Sequence, residues 1–229
     1  MKGRDVELRI EADEEAAAKI VAGLLAEAAR AGEEIVLTGG STPGRAYELA
    51  AELQTDWGEA GAWWGDERCV PPGDPNSNFG LAERTLLGKL ETKPRIHRIH
   101  GEDDPAAAAA AYERELRGTT LDLLLLGLGP DGHVASLFPH SPGLEERERL
   151  VIPAEPKLEP YVERITLTPP ALRAARRIVF LVAGEDKAQA VARALAGPID
   201  PAVPGSVIRA ESGETLAVLD RAAAAGLRD

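Results

Sequence analysis

The stretch LDLLLLGLGPDGHVASLFP, Leu121 to Pro139, decides the fold. Its apolar run, Leu121 and then Leu123 to Leu126, has the length of one strand. A short apolar run bounded by turn residues fits a central parallel strand buried on both faces. The chain then breaks into Gly127, Gly129, Pro130, Asp131 and Gly132, and His133 follows at once. Glycine lets a backbone turn sharply where a side chain would clash. Asp131 and His133 are therefore expected just past the carboxyl end of a central strand. That is the edge at which open α/β sheets bind ligands.

Working outward, strands and helices alternate along the chain. Val6, Leu8 and Ile10 read as a half-exposed strand, and Asp13 as the N-cap of an Ala-rich helix that runs to Arg30 and ends at Gly32. Ile35 to Leu37 is a strand running into TGGSTP, Thr38 to Pro43, with a second helix expected from Pro43 to Leu53. Ala60 to Trp64 is a third strand, followed by GDER, Gly65 to Arg68, and a Pro-rich loop through Asn76 and Asn78. Helices are predicted over Leu81–Leu90 and Pro105–Leu116, with a strand over Ile96–His100 between them. Beyond the central stretch, strands are predicted at Val151–Ile152, Glu163–Thr168, Ile178–Val182 and Leu216–Leu219. Short helices are expected at Pro169-Pro170 and from Lys187 to Leu195. The pattern predicts an α/β fold, a doubly wound and mainly parallel sheet with helices on both faces. The reading is one domain over residues 1–229, with a small subdomain at the sheet edge around Val151 to Pro170.

Composition excludes several classes. The chain has 229 residues and a formal net charge of −12. A broad nucleic-acid surface needs clustered Lys and Arg, so no nucleic-acid partner is expected. No apolar run approaches the roughly 18 residues of a membrane-spanning helix, and the N-terminus lacks a signal-peptide core. Cys69 is the only cysteine. No disulfide framework exists, and a cytoplasmic location fits best.

Three motifs fall on the expected ligand edge. In TGGSTP, Gly39 and Gly40 turn the chain, and Ser41 or Thr42 is expected to cap the following helix. Free N–H groups and the helix dipole there suit an anion. Neither a Walker loop nor GxGxxG is present. In GDER, Asp66 and Arg68 follow a strand end, and Arg68 can grip a carboxylate or phosphate or stabilise an oxyanion. Taken alone, GDER reads as a solvated loop, and Asn76 and Asn78 as turn residues. In GPDGH, His133 can act as general base or acid, with Asp131 orienting its ring. Lys187, in VAGEDK, opens a helix after an apolar strand and can face an anionic substrate. His97 and His100 are predicted on opposite faces of a strand, and no HExxH or Cys–His pattern occurs, so no metal is expected. Cys69 lacks a base partner and reads as a bystander.

Taken in order, TGGSTP, GDER with NSNFG, DLLLLGLGPDGHVASLFP, ERITLTPPAL and VAGEDK resemble the 6-phosphogluconolactonases, from about Ile35 to Asp220. The resemblance implies a Rossmann-like α/β sandwich and hydrolysis of 6-phospho-D-glucono-1,5-lactone in the oxidative pentose phosphate pathway, with no required cofactor. It casts His133 as general base and Asp131 as its orienting partner. Arg68 becomes an electrostatic partner of the substrate. Gly40, Ser41 and Thr42 take the phosphate-binding turn, and Lys187 its cationic partner. The deaminase/isomerase branch of the superfamily reads DGHIAFNE at this point, which puts its Glu where this chain has Phe138. That branch usually has Tyr where Arg68 stands. Both departures favour the lactonase over the deaminase. A non-catalytic sugar-phosphate-binding regulator is the remaining alternative. Monomer and homodimer both stay open.

Overall fold

The computed structural model describes residues 6–227. Seven strands form one sheet: β1 (Glu7–Glu11), β2 (Glu34–Leu37), β3 (Gly61–Trp64), β5 (Arg95–Ile96), β6 (Leu123–Leu126), β9 (Arg177–Val182) and β10 (Glu214–Asp220). Their spatial order is β1-β10-β9-β6-β2-β3-β5, and every pairing is parallel. From β2 the chain winds one way through β3 to β5. From β6 it winds the other way through β9 to β10. The adjoining pair β2 and β6 is thus the switch point of the sheet, the place where loops diverge and leave a crevice. TGGSTP leaves β2 and GLGPDGH leaves β6, so both motifs open into that crevice.

Helices cover this sheet. α1 (Glu14–Arg30) is capped by Asp13, whose carboxylate accepts from the Ala16 N–H, and it ends at Gly32 with a left-handed φ of 71°. It packs on α2 (Ser41–Leu53). α3 (Asn78–Thr85) packs on α2, and α4 (Pro105–Leu116) is capped by Asp104. The central strand β6 is buried at every position, as its leucine run requires. Two tyrosines pin strand ends to helices. Tyr47 on α2 donates to the Thr38 carbonyl at 2.7 Å and accepts from its N–H at 2.8 Å. Tyr112 on α4 makes the same pair of bonds with Trp64, at 3.1 and 2.8 Å. Each hydroxyl satisfies both polar groups of a buried residue where the sheet stops doing so.

A second, three-stranded sheet has the order β4-β8-β7, built from β4 (Asp66–Arg68), β7 (Val151–Ala154) and β8 (Arg164–Leu167). This is the small edge unit predicted around Val151 to Pro170, enlarged by GDER. The GDER segment is therefore a strand and not a solvated loop. Its residues alternate: Asp66 and Arg68 share one face while Glu67 turns to the other. α5 (Pro169–Arg173) follows β8.

Other expectations shift in detail. The predicted strand at Ile96–His100 shrinks to Arg95–Ile96; the His97 N–H makes one more bond, to the Ala62 carbonyl at 2.9 Å, and its ring stacks on Trp63 at 4.0 Å. The opposite-face argument for His97 and His100 therefore lapses. The predicted helix from Lys187 to Leu195 is a tight turn at Glu185–Lys187, a short helix α6 (Ala188–Val191) and a widened turn at Ala192–Ala196. There the buried Arg209 guanidinium takes the Ala194 carbonyl at 2.5 Å, and it also binds the carbonyls of Gly205 and Ile208. A helix of this kind widens where a side chain competes for its carbonyls. α7 (Pro204–Val207) is the last α-helix among the described residues, and a 3₁₀ turn follows at Ala223–Gly226. Among the described residues, no helix is long and apolar enough to cross a membrane.

Candidate active site

A cleft of about 510 Å³ lies over the switch point. It is lined by Gly39, Gly40, Ser41, Thr42, Asp66, Arg68, His133 and Lys187, so the sequence-predicted residues converge on one space. Asp131 stands behind His133.

At the β6 end the geometry is tightly specified. His133 Nδ1 lies 2.6 Å from Asp131 Oδ1, and the His133 backbone N–H donates to the same oxygen at 3.1 Å. The Gly129 N–H bonds the His133 carbonyl at 2.9 Å, which closes the loop on itself. A Cβ on Gly129 would fall 2.0 Å from His133 Nδ1, so only glycine leaves room for the ring. Gly132 has a φ of 87°, a left-handed conformation that glycine adopts without strain. Partial burial raises the Asp131 carboxyl, but the bond and charge of His133 outweigh it and hold the group below its ordinary value. An ionised Asp131 keeps the proton on Nδ1 and leaves Nε2 as the acceptor available to the cleft.

The β2 end is a backbone site. Gly40, with a φ of 114°, is the N-cap, and α2 begins at Ser41. Neither Ser41 nor Thr42 caps the helix, and Pro43 is not its first residue. The Thr42 hydroxyl instead donates to Glu14 on α1 at 2.6 Å. With no side chain capping it, the helix keeps its first N–H groups for an anion. Lys187 reaches the cleft from the loop after β9, and its Nζ pairs with Asp186 at 2.9 Å.

Sequence reasoning passed over three groups. Asn78 is no turn residue: it is buried at the start of α3, and its amide donates to the Asp66 carbonyl at 2.9 Å and to the Asp66 carboxylate at 3.1 Å. It packs so closely on Gly39 that a Cβ there would meet Asn78 Oδ1 at 2.1 Å. Asp66 also accepts from Ser136 at 2.6 Å, so its carboxylate stitches β4 to the loop after His133. Glu67 is 2 % exposed and accepts from the N–H groups of Arg68, Asn78 and Phe79 and from the Ser77 hydroxyl. Burial pushes its carboxyl up, and those four donors oppose the shift. Arg164 is 4 % exposed and lines the cleft opposite Arg68 in the β4–β8 ladder. Burial lowers its guanidinium, as does the nearby charge of Arg68, against the pull of Asp66. The motif ERITLT held this residue in plain view, but only the strand register reveals its partner.

Phe138 is buried with its ring 4.8 Å from that of His133, and the Arg164 guanidinium lies 5.7 Å from the same ring on the cation–π side. An apolar ring thus occupies the position beside the histidine. Cys69 is half-buried, and its thiol is pushed up to about 11 by burial and by the charges of Glu163 and Glu67. It is protonated at neutral pH and unsuited to attack. Among the described residues, no cluster of three or more His, Cys, Asp or Glu residues is placed to hold a metal.

The site thus combines a doubly wound sheet, a helix start with no side-chain cap and an Asp-held histidine at the switch point. The chain belongs to the glucosamine-6-phosphate isomerase/6-phosphogluconolactonase family, whose model matches residues 9–217. It is 43 % identical to the 6-phosphogluconolactonase of Streptomyces coelicolor, an alignment covering 98 % of this chain and 92 % of the relative. The Mycobacterium tuberculosis 6-phosphogluconolactonase is 40 % identical, over 93 % of each chain. The solved 6-phosphogluconolactonase of Trypanosoma cruzi superposes with a TM-score of 0.86 at 26 % identity, covering 99 % of this chain and 98 % of that one.

Proposed function

We infer that the cleft hydrolyses 6-phospho-D-glucono-1,5-lactone to 6-phospho-D-gluconate by general-base activation of water. One observation carries the choice within the family. The histidine held by Asp131 has the Phe138 ring beside it, where the deaminase branch supplies a carboxylate. By the resemblance, that carboxylate helps ring opening in the deaminase branch, whereas a water and a base suffice to hydrolyse a lactone.

The chemistry follows from the geometry. His133 Nε2 takes a proton from water as the water oxygen bonds to the lactone C1. The carbonyl π electrons move to oxygen, and Arg68 stabilises the oxyanion. On collapse the C1–O5 bond breaks, and His133 returns the proton to the ring oxygen. The new carboxylic acid loses its remaining proton to solvent. A lactone is an activated ester, so water and a base suffice, and each group used belongs to this chain. The phosphate, remote from C1, sits at the start of α2 against Gly39, Gly40, Ser41 and Thr42, with Lys187 as its cation, and orients the sugar. A cytosolic setting agrees with the single free Cys69.

The test is a coupled assay with freshly generated lactone, spontaneous opening subtracted. Acceleration over background is expected. Its absence, or ammonia release from glucosamine 6-phosphate, rejects the reading.

A further inference from the structure

Arg68 and Arg164 are register partners in the antiparallel β4–β8 ladder. Directly opposed residues of such a pair project on the same face, about 5 Å apart at Cβ, and like charges there repel. Their hydrogen bonds go to backbone carbonyls: Arg68 to Asn76 at 2.5 Å, Arg164 to Leu158 and Pro160 at 3.2 and 3.3 Å. The Asp66 carboxylate, on the same strand face as Arg68, is committed to Ser136 and Asn78. The Nε atoms of both arginines are buried without a hydrogen-bond partner. A half-buried guanidinium beside a buried one, each with a buried and unpartnered Nε and no carboxylate bonded to either, is costly unless an anion spans them.

The pair sits at the reacting end of the cleft. Arg164 and His133 both pack on the Phe138 ring, whereas Lys187 comes from the loop after β9. We propose that Arg68 and Arg164 together clamp the C1 carboxylate of the open-chain acid, making Arg164 a second binding group at the carbon that reacts. The proposal rests on the lactonase reading, from which the acid product follows. A carboxylate is planar and matches the guanidinium fork in two-pronged contacts. The lactone carbonyl is neutral, so the clamp favours the product, and the oxyanion on the way to it, over the substrate. It makes the enzyme sensitive to its own product.

The experiment measures calorimetric binding of 6-phospho-D-gluconate and of D-sorbitol 6-phosphate, which carries a hydroxymethyl group in place of the carboxylate. Wild-type protein is expected to prefer the gluconate by about tenfold or more. Arg164→Met should lose most of that preference while binding sorbitol 6-phosphate within about threefold of wild type; Arg164→Lys should fall between. Equal wild-type affinities overturn the proposal, and this arm requires no variant to fold. So does an Arg164→Met protein that weakens both ligands alike, which would place the arginines on the phosphate. Binding is read without turnover, so a failed hydrolysis assay leaves this outcome separately decided.

Discussion

Asp131 Oδ1 receives two bonds from His133, one from the ring at 2.6 Å and one from the backbone N–H at 3.1 Å. One oxygen therefore fixes both the turn and the tautomer. Asp131→Asn keeps the shape and removes the charge. We expect kcat to fall by about 10²-fold or more with KM within about threefold, the range ascribed to a disabled base. The sign of the pH effect follows from the lowered Asp131 carboxyl. Its stabilising contribution is complete above the unfolded value of about 3.9 and is lost as pH falls through the lower folded value. The stability gap between wild type and Asp131→Asn should therefore close in acid as Asp131 protonates. Melting curves across pH check it, and a gap that widens in acid contradicts it.

The opposed arginines set activity against stability. Removing Arg68 relieves a like-charge contact in the ladder. Arg68→Met should lower kcat by about 10²-fold, as for a lost oxyanion donor, yet leave Tm within about 2 °C of wild type or above it. A drop of kcat accompanied by a large fall in Tm would mean that Arg68 serves the fold.

Periodicity exposes strands and helices that bury apolar stripes, and so the leucine run of β6 and the Asp13 cap were legible in the chain alone. TGGSTP and GPDGH were legible too, because glycines at strand ends mark ligand edges in any doubly wound sheet. What stayed hidden depends on long-range pairing. β4 is too short to show its alternation, and its partner β8 lies about a hundred residues away in the chain, so Arg164 and the buried state of Glu67 emerge only from register, and that of Asn78 only from its bonds to Asp66. The capping of α2 misled for a related reason. The helix starts two residues earlier than Pro43, with Gly40 as its N-cap, so Thr42 lies inside the first turn and donates its hydroxyl hydrogen to Glu14 of another helix.

Glu67 joins β4 to the start of α3 through four donors. Glu67→Gln puts an amide NH₂ against groups that all donate. Leaving buried donors unmatched costs about 1–3 kcal/mol. We expect Tm to fall by several degrees, and Glu67→Asp, which retains the charge, to recover part of the loss. Equal Tm values for wild type and Glu67→Gln would show that the donors find other partners.

At the end of the cleft proposed to take the phosphate, two carboxylates already hold groups the ligand would use. Glu14 accepts from Thr42, and Asp186 pairs with Lys187. A hydroxyl hydrogen that donates to a carboxylate is lost to a phosphate, and a paired ammonium offers the phosphate less of its charge. Substrate binding must therefore displace both contacts. Lys187→Ala removes the cation and should raise KM by about tenfold or more with kcat little changed, because the phosphate is remote from the reacting carbon. Glu14→Gln acts in the opposite direction. It removes a negative charge beside the phosphate and frees Thr42 to donate, so KM should fall by about two- to threefold. The contact is exposed, so added salt should shrink this gain. Steady-state kinetics at low and high ionic strength test the pair together. If Glu14→Gln raises KM, Glu14 orders Thr42 for the phosphate rather than competing with it.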